Sequence, residues 1–249
     1  MSIATELDLN QLSADYERDG VIRLRRLFSP EDIATFRQML AEYTRARASS
    51  LPKGDVTFEA DGVTVRNLWR IEQHEPAFIG FVRTPRLLSL VARLVQGEPV
   101  LAGIETFNKP ARIGSGVPYH QDNAYFCQTP PDMLTVWIAI DAVTAANGPV
   151  FFVKGSHKQG MLPTKPSGVR GNSIGMAEPS NVPLSEQFCG LLAPGDATIH
   201  HSVTVHHSAP NTTEHSRLGL LLVYRGAHTQ NDPNLKATYT VAATATPPA

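Results

Sequence analysis

Tyr119-His120-Gln121-Asp122 sets a histidine two residues before a carboxylate, and Val205-His206-His207-Ser208-Ala209-Pro210-Asn211 with Arg217 follows much later in the chain. If 120–122 is extended, the period-two geometry of a strand points His120 and Asp122 to one face, where both reach the same cation. His206 would complete a set of two histidines and one carboxylate. That facial set suits Fe(II) and leaves open positions for a co-substrate and O2. The chemistry it points to is oxygenation.

Four histidines compete for the distal position: His200, His201, His206 and His207. Asn211-Thr212 lies midway between His206 and Arg217, which predicts a hairpin pairing those two residues. Paired residues of an antiparallel ladder share a face, and alternation adds Ser208 to it. His206, Ser208 and Arg217 then converge while His207 points away. On a continuous strand His200 would lie roughly 20 Å from His206 at about 3.3 Å per residue, too far to serve the same metal.

The elements that must position these groups are helical first and extended later. Leu12 to Gly20 reads as a short helix stopped by Gly20, and Val21-Ile22-Arg23-Leu24 as a strand. Ser29-Pro30-Glu31-Asp32 supplies an N-cap, a proline in the first turn and acidic residues suited to a helix N-terminus. Ile33, Phe36, Met39, Leu40 and Tyr43 follow at helical spacing, so this helix should run to about Arg47 with those residues in the core. A second helix is predicted over Pro85–Val95. From Val100 onward short apolar runs alternate with Gly, Pro and Asn: 100–108, 118–122, 134–140, 148–153, 197–201, 203–207 and 217–224. This pattern suggests a β-sandwich or barrel. Residues 158–186, rich in Gly and Pro, form an unusually long connection of the kind used as active-site lids. The stretch 238–249 reads as a fraying, flexible tail.

At 249 residues one substantial core suffices, so a single domain over 1–249 is expected. A net charge of −1 provides no general field for nucleic acid or for an anionic membrane. Arg23, Arg25 and Arg26 read as a solvated face. Two cysteines, Cys127 and Cys189, argue against a disulfide framework and for a reducing compartment. No long apolar run opens the chain, so neither a signal peptide nor a membrane anchor is expected, and the location expected is cytoplasmic.

Further motifs extend the series. Asp19-Gly20-Val21 and Ser29-Pro30-Glu31 open it, and Asn108-Lys109-Pro110 precedes His120-Gln121-Asp122. Trp137-Ile138-Ala139-Ile140-Asp141, Asn147-Gly148-Pro149, Gly155-Ser156-His157 and Gly195-Asp196 come before His206 and Arg217. In this order the chain resembles the phytanoyl-CoA dioxygenase family of Fe(II)- and 2-oxoglutarate-dependent oxygenases over nearly its whole length. It departs at Lys154, where proline often precedes Gly-Ser-His, and at His207, where glycine often follows the metal histidine. The resemblance implies a mainly β double-stranded β-helix, a jelly-roll or cupin-like barrel, with flanking N-terminal helices.

It also implies Fe(II), 2-oxoglutarate and O2, with His120, Asp122 and His206 as the catalytic metal ligands. 2-Oxoglutarate chelates iron through its 1-carboxylate and keto oxygen. Its distal carboxylate then suits the Arg217 guanidinium fork, with Ser208 as an added hydroxyl donor. Gln121, Asn108 and Tyr119 lie beside the metal strand and can donate hydrogen bonds to the co-substrate; a purely structural role is their equal alternative. Trp137 is expected in the barrel wall, with packing against the co-substrate as its other use, and His157 as a loop-fixing residue.

Other readings stay open at this point. A cupin would carry a close His-x-His pair. A zinc hydrolase can use two histidines and a carboxylate to activate water, but it leaves Arg217 and Ser208 unexplained. A halogenase would replace Asp122 with a small residue. A barrel that binds a ligand without catalysis is the remaining alternative. The substrate expected is a small molecule whose identity fold analogy does not choose. Lys165 and Arg170 in the long connection, with Arg112, Arg66 and Arg70, suit an anionic one.

Overall fold

The computed structural model describes residues 8–245 apart from Arg83 and Arg170. Helices α1 (Leu9–Asp19) and α2 (Pro30–Arg47) bracket strand β1 (Val21–Leu24). The hairpin β2 (Val56–Phe58) and β3 (Val65–Leu68) is followed by α3 (Ile71–His74), α4 (Ala77–Val82) and α5 (Pro85–Leu94). Then come β4 (Pro99–Lys109), β5 (Val117–His120), the single turn α6 (Asn123–Phe126), β6 (Gln128–Thr129), β7 (Met133–Ala139) and β8 (Val150–Phe152). The chain continues through β9 (Thr164–Val169), β10 (Asn172–Met176), β11 (Phe188–Cys189) and β12 (Ala197–His201). It finishes with β13 (His206–Ser208), β14 (Arg217–Gly226), β15 (Gln230–Asn231) and α7 (Pro233–Ala245).

Seven strands form the major sheet in the order β1-β12-β7-β14-β4-β3-β2, and four form the minor sheet β11-β8-β13-β5. The pairings that build both are antiparallel. Every residue of β7 is buried, because the sheet is covered on both faces. Alternation sends Leu134, Val136 and Ile138 to the helical side, where they join Leu220, Leu222 and Tyr224 of β14 in the main core. The opposite parity, Trp137 and Ala139 with Leu221, belongs to a separate apolar cluster between the sheets.

The helices that cover the major sheet are set by local chemistry. Ser29 and Asp32 form a reciprocal capping box at α2. Ile33, Phe36, Leu40 and Tyr43 bury one stripe of that helix, each worth roughly 1.5–3 kcal/mol of apolar burial. α1 starts at Asp8, whose carboxylate accepts from Asn10 N and Gln11 N, and ends at Gly20 in the left-handed region, φ 73°. A Cβ at Gly20 would also come within 2.4 Å of His157 Nδ1. His157, bonded at Nε2 to Glu17 O, ties that turn to the loop after β8.

The connection over 158–186 contains the β9–β10 hairpin. The stretch from Thr238, read from composition as a fraying tail, is helical to Ala245 and packs Tyr239 against Tyr125; residues 246–249 lie outside the described part. Cys127 and Cys189 are both free thiols. Among the described residues no helix is long and apolar enough to cross a membrane.

Candidate active site

His120 ends β5, and the chain then leaves the extended region: Asp122 has φ −58° and ψ −34° at the start of α6. The expected straight strand over 120–122 is therefore absent. The helical turn, not strand alternation, swings the Asp122 carboxylate back beside His120. His206 on β13 is the direct cross-strand partner of His120 on β5, and their ring centroids lie 4.1 Å apart. One ligand atom from each of His120, Asp122 and His206 lies within 4.8 Å of the others.

The ring orientations follow from the backbone. His120 Nδ1 is 2.8 Å from Pro118 O and His206 Nδ1 is 2.9 Å from Thr204 O. A carbonyl only accepts, so each Nδ1 carries a proton and each Nε2 is the nitrogen left to serve as a ligand. Those Nε2 atoms stand 3.5 Å and 3.4 Å from Asp122 Oδ1. The other carboxylate oxygen, Oδ2, accepts from Thr135 Oγ1 at 2.9 Å and from His200 Nε2 at 2.9 Å. Burial alone would raise the Asp122 carboxyl, but His206, His120 and His200 outweigh it and hold it well below the usual carboxylate range. Burial, then the neighbouring His206, lowers His120. This donor set, two imidazole nitrogens and a carboxylate oxygen, fits Fe(II).

Two expectations about this region are overturned. His206 and Arg217 do not pair across a hairpin: β13 belongs to the minor sheet and β14 to the major one, where Arg217 pairs with Lys109. They face a common cavity of about 580 Å³ from opposite sheets. His200 is not remote either, because the chain crosses between sheets at 202–205, and its ring centroid lies 4.7 Å from that of His206. A straight-strand distance does not apply to a chain that turns.

Arg217 is 2% exposed. Its Nη2 donates to Gly148 O at 2.7 Å, and its Nε is buried with no partner. The guanidinium lies 5.0 Å from the Trp137 ring. Gly219 makes room for that ring, since a Cβ there would come within 2.1 Å of it. Burial lowers Arg217 to about 9, with Asp141 opposing. Lys109, beside it in the ladder, is brought to about 6 by burial and then by the Arg217 and Arg66 charges. Neither forms an ion pair among the described residues. Two buried basic side chains without an ion pair among the described residues, with Ser208 lining the same cavity from the facing sheet, offer donors suited to a carboxylate.

The remaining predicted contacts lie elsewhere. Gln121 is fully buried and spends its amide on Gly160 O, Val203 O and Leu162 N. Asn108 sits on the face of β4 opposite Phe107 and Lys109 and donates to Val65 O. Tyr119 alternates away from His120, packs tilted against His207 with 4.0 Å between ring centroids and accepts from Gln187 Nε2. None of the three lines the cavity; strand parity explains Asn108 and Tyr119, and the turn into α6 explains Gln121. His207 faces the rim, bonded to Gln187 Oε1 at 3.2 Å, and burial lowers it to about 4.

Of the cationic side chains suggested for substrate, Arg70 lines the cavity and is ion-paired with Asp55. Arg66 is buried against Asn172, Arg112 pairs with Glu214 at the surface, and Lys165 is exposed away from the cavity. Arg170 lies outside the described residues. The sequence reading missed Lys109, Thr135, Glu105 and His200 as cavity residues. For Lys109, its β4 parity with Phe107 was the available signal. Gly171, Asn172 and Ser173 of the β9–β10 hairpin and Tyr239 and Ala243 of α7 complete the wall.

Comparison with known proteins agrees with this geometry. The family profile described as phytanoyl-CoA dioxygenase (PhyH) matches residues 16–219. The L-proline trans-4-hydroxylase of Streptomyces griseoviridis is 26% identical over 228 residues, 84% of this chain and 83% of that protein. An ectoine dioxygenase of Bordetella parapertussis is 25% identical over 241 residues, 89% of this chain and 78% of that protein. Among solved structures, EctD from S. alaskensis with 2-oxoglutarate and 5-hydroxyectoine superposes with a TM-score of 0.73 at 20% identity, covering 91% of this chain and 78% of that one. The α-ketoglutarate-dependent epimerase SnoN from nogalamycin biosynthesis gives 0.70 at 24% identity, over 90% and 85%. The shared fold is the double-stranded β-helix, with the N-terminal helices flanking it.

Proposed function

This chain belongs to the phytanoyl-CoA dioxygenase family, and on that premise we propose that it is an Fe(II)- and 2-oxoglutarate-dependent dioxygenase that hydroxylates a C–H bond of a small molecule. The observation that carries the reading is the convergence of two imidazole Nε2 atoms and one carboxylate oxygen in one cavity with a buried Arg217 that forms no ion pair among the described residues. In this reading His120, Asp122 and His206 hold the iron, and Arg217, Lys109 and Ser208 hold the distal carboxylate of 2-oxoglutarate. Bound iron, 2-oxoglutarate and O2 supply the oxidation, in which one oxygen atom enters the substrate and the other enters succinate as CO2 leaves.

The chain's own residues do the rest. Pro118 O and Thr204 O fix the imidazole tautomers, and Thr135 and His200 fix which carboxylate oxygen faces inward. Trp137 walls the co-substrate side. The β9–β10 hairpin and α7 roof the cavity and serve to keep water from the reacting centre. An anionic group on the substrate would meet Arg70 and Lys53, which line the cavity with Glu105 and Trp69. The free thiols of Cys127 and Cys189 fit the reducing cytoplasm.

The test is succinate formation from 2-oxoglutarate with Fe(II) and O2, surveyed over amino acids, small organic acids and acyl-CoAs. Turnover that proceeds without O2 and is supported equally by Zn(II) would overturn the assignment.

A further inference from the structure

Glu105 is a cavity carboxyl that neither the metal ligands nor the carboxylate receptor uses. Alternation on β4 sends Glu105, Phe107 and Lys109 to the same face. Lys109 meets Arg217 at one end of that row, and Glu105 stands opposite Leu221 further along. Its carboxyl folds over Gly103, close enough that a Cβ there would be 3.6 Å from Oε1. Gly103 is level with Val223, which pairs in turn with Thr135, the residue that holds Asp122. The Glu105 carboxyl is thus directed to the row of the sheet from which the metal centre is supported.

No hydrogen bond or ion pair engages this carboxyl among the described residues. Arg70 is committed to Asp55 and Gly54 O, and Glu72 accepts from Ile104 N. On the adjoining wall the Trp69 and Phe107 rings meet edge to face, 5.3 Å between centroids. Glu105 is partly rather than fully buried, so its carboxyl lines the open cavity and is reachable by a ligand there. Burial, with the charges of Asp122 and Glu72, raises it to about 8, while Arg70 pulls the other way. A cation placed there would draw the proton off and gain the ion pair beside an aromatic wall.

We propose that Glu105 receives a positively charged amine of the substrate, with Trp69 and Phe107 flanking the ammonium group. The substrate class is then a small amine, and a zwitterion of amino-acid type if its carboxylate meets Lys53. This rests on the oxygenase reading and narrows it.

Calorimetric titration of the metal-free protein, and of its anaerobic complex with Fe(II) and 2-oxoglutarate, tests the assignment. The probes are the common amino acids and short alkylamines, each beside its N-acetyl counterpart. At least one free amine is expected to bind about tenfold or more tightly than its acetylated form. Glu105→Gln keeps the side chain's size and removes its charge, so the same amine should weaken about tenfold or more while the acetylated form is unaffected. Circular dichroism checks that the variant folds, and the wild-type discrimination between amine and amide needs no variant. If no free amine outbinds its amide, including the case in which neither binds, the proposal is overturned; equal amine affinity in wild type and Glu105→Gln overturns it too. Failure of the oxygenase reading looks different: no succinate forms, while amine binding to the metal-free protein and its loss in the variant persist.

Discussion

His200 Nε2 lies 2.9 Å from Asp122 Oδ2, the carboxylate oxygen turned away from His120 and His206. Thr135 Oγ1 reaches the same oxygen from the neighbouring strand. Two donors on one oxygen leave the other to face the ligand cluster, so the carboxylate is pre-set for single-oxygen ligation. His200 acts through Asp122 and is a positioning residue.

Replacing His200 by Ala should weaken Fe(II) binding by roughly 10- to 100-fold, the usual cost of losing a hydrogen bond to a metal ligand. Thr135→Val should weaken it in the same direction. The readout is the visible charge-transfer band of the anaerobic Fe(II)–2-oxoglutarate complex, titrated with iron. Undiminished affinity in both variants would show that the carboxylate is oriented by other means.

His206→Ala should abolish that band, whereas His207→Ala should keep it, because His207 packs between Tyr119 and Phe151 with its Nε2 turned to Gln187. The opposite pattern would transfer the ligand role to His207.

Arg217→Ala should raise the 2-oxoglutarate requirement roughly tenfold to a hundredfold, corresponding to about 1.5–3 kcal/mol for a charged hydrogen bond. Iron affinity should change much less. Steady-state KM for 2-oxoglutarate, measured beside the iron titration, separates the two effects, and parallel losses in both would contradict the division of the site.

Lys109 should make co-substrate binding pH-dependent. Burial beside Arg217 and Arg66 leaves it largely neutral above about 6. A bound dicarboxylate favours the charged amine, so binding takes up a proton. Affinity should therefore fall as pH rises above about 6, by as much as about tenfold per unit until the pKa of the complex is passed. Calorimetry in buffers of different ionisation enthalpy should record proton uptake at neutral pH in wild type and none in Lys109→Met; uptake unchanged in the variant would assign it elsewhere.

Gly219→Ala should destabilise the fold by roughly 1–3 kcal/mol, as overpacking does, because the new methyl would meet the Trp137 ring. Adding Trp137→Leu should restore part of the loss in a thermal melt. An unchanged melting temperature for the single variant would mean that the indole moves aside freely.

Patterns that depend on near neighbours were legible without the tertiary structure. The Ser29 cap and apolar stripe of α2, the strand β1, and the strand-rich half beyond Val100 follow from local propensity and period. So do the ligand types, since His120, Asp122 and His206 offer two ring nitrogens and a carboxylate. What strand parity and turns control was not legible. The expectation that His206 and Arg217 converge holds, but by facing each other across two sheets rather than by pairing in a hairpin. His200 comes beside Asp122 because the chain changes sheets within a few residues, a reversal that one-dimensional distance along a strand cannot express. Gln121 and Tyr119 adjoin the metal ligands in sequence yet point out of the cavity, while Lys109, Glu105 and Tyr239, distant in sequence, point into it. Sequence by itself determined which chemical groups this protein owns and the elements that carry them. Tertiary structure decided which groups share one cavity, because that depends on sheet pairing and on the sense of each turn, to which residues far apart in the chain contribute together.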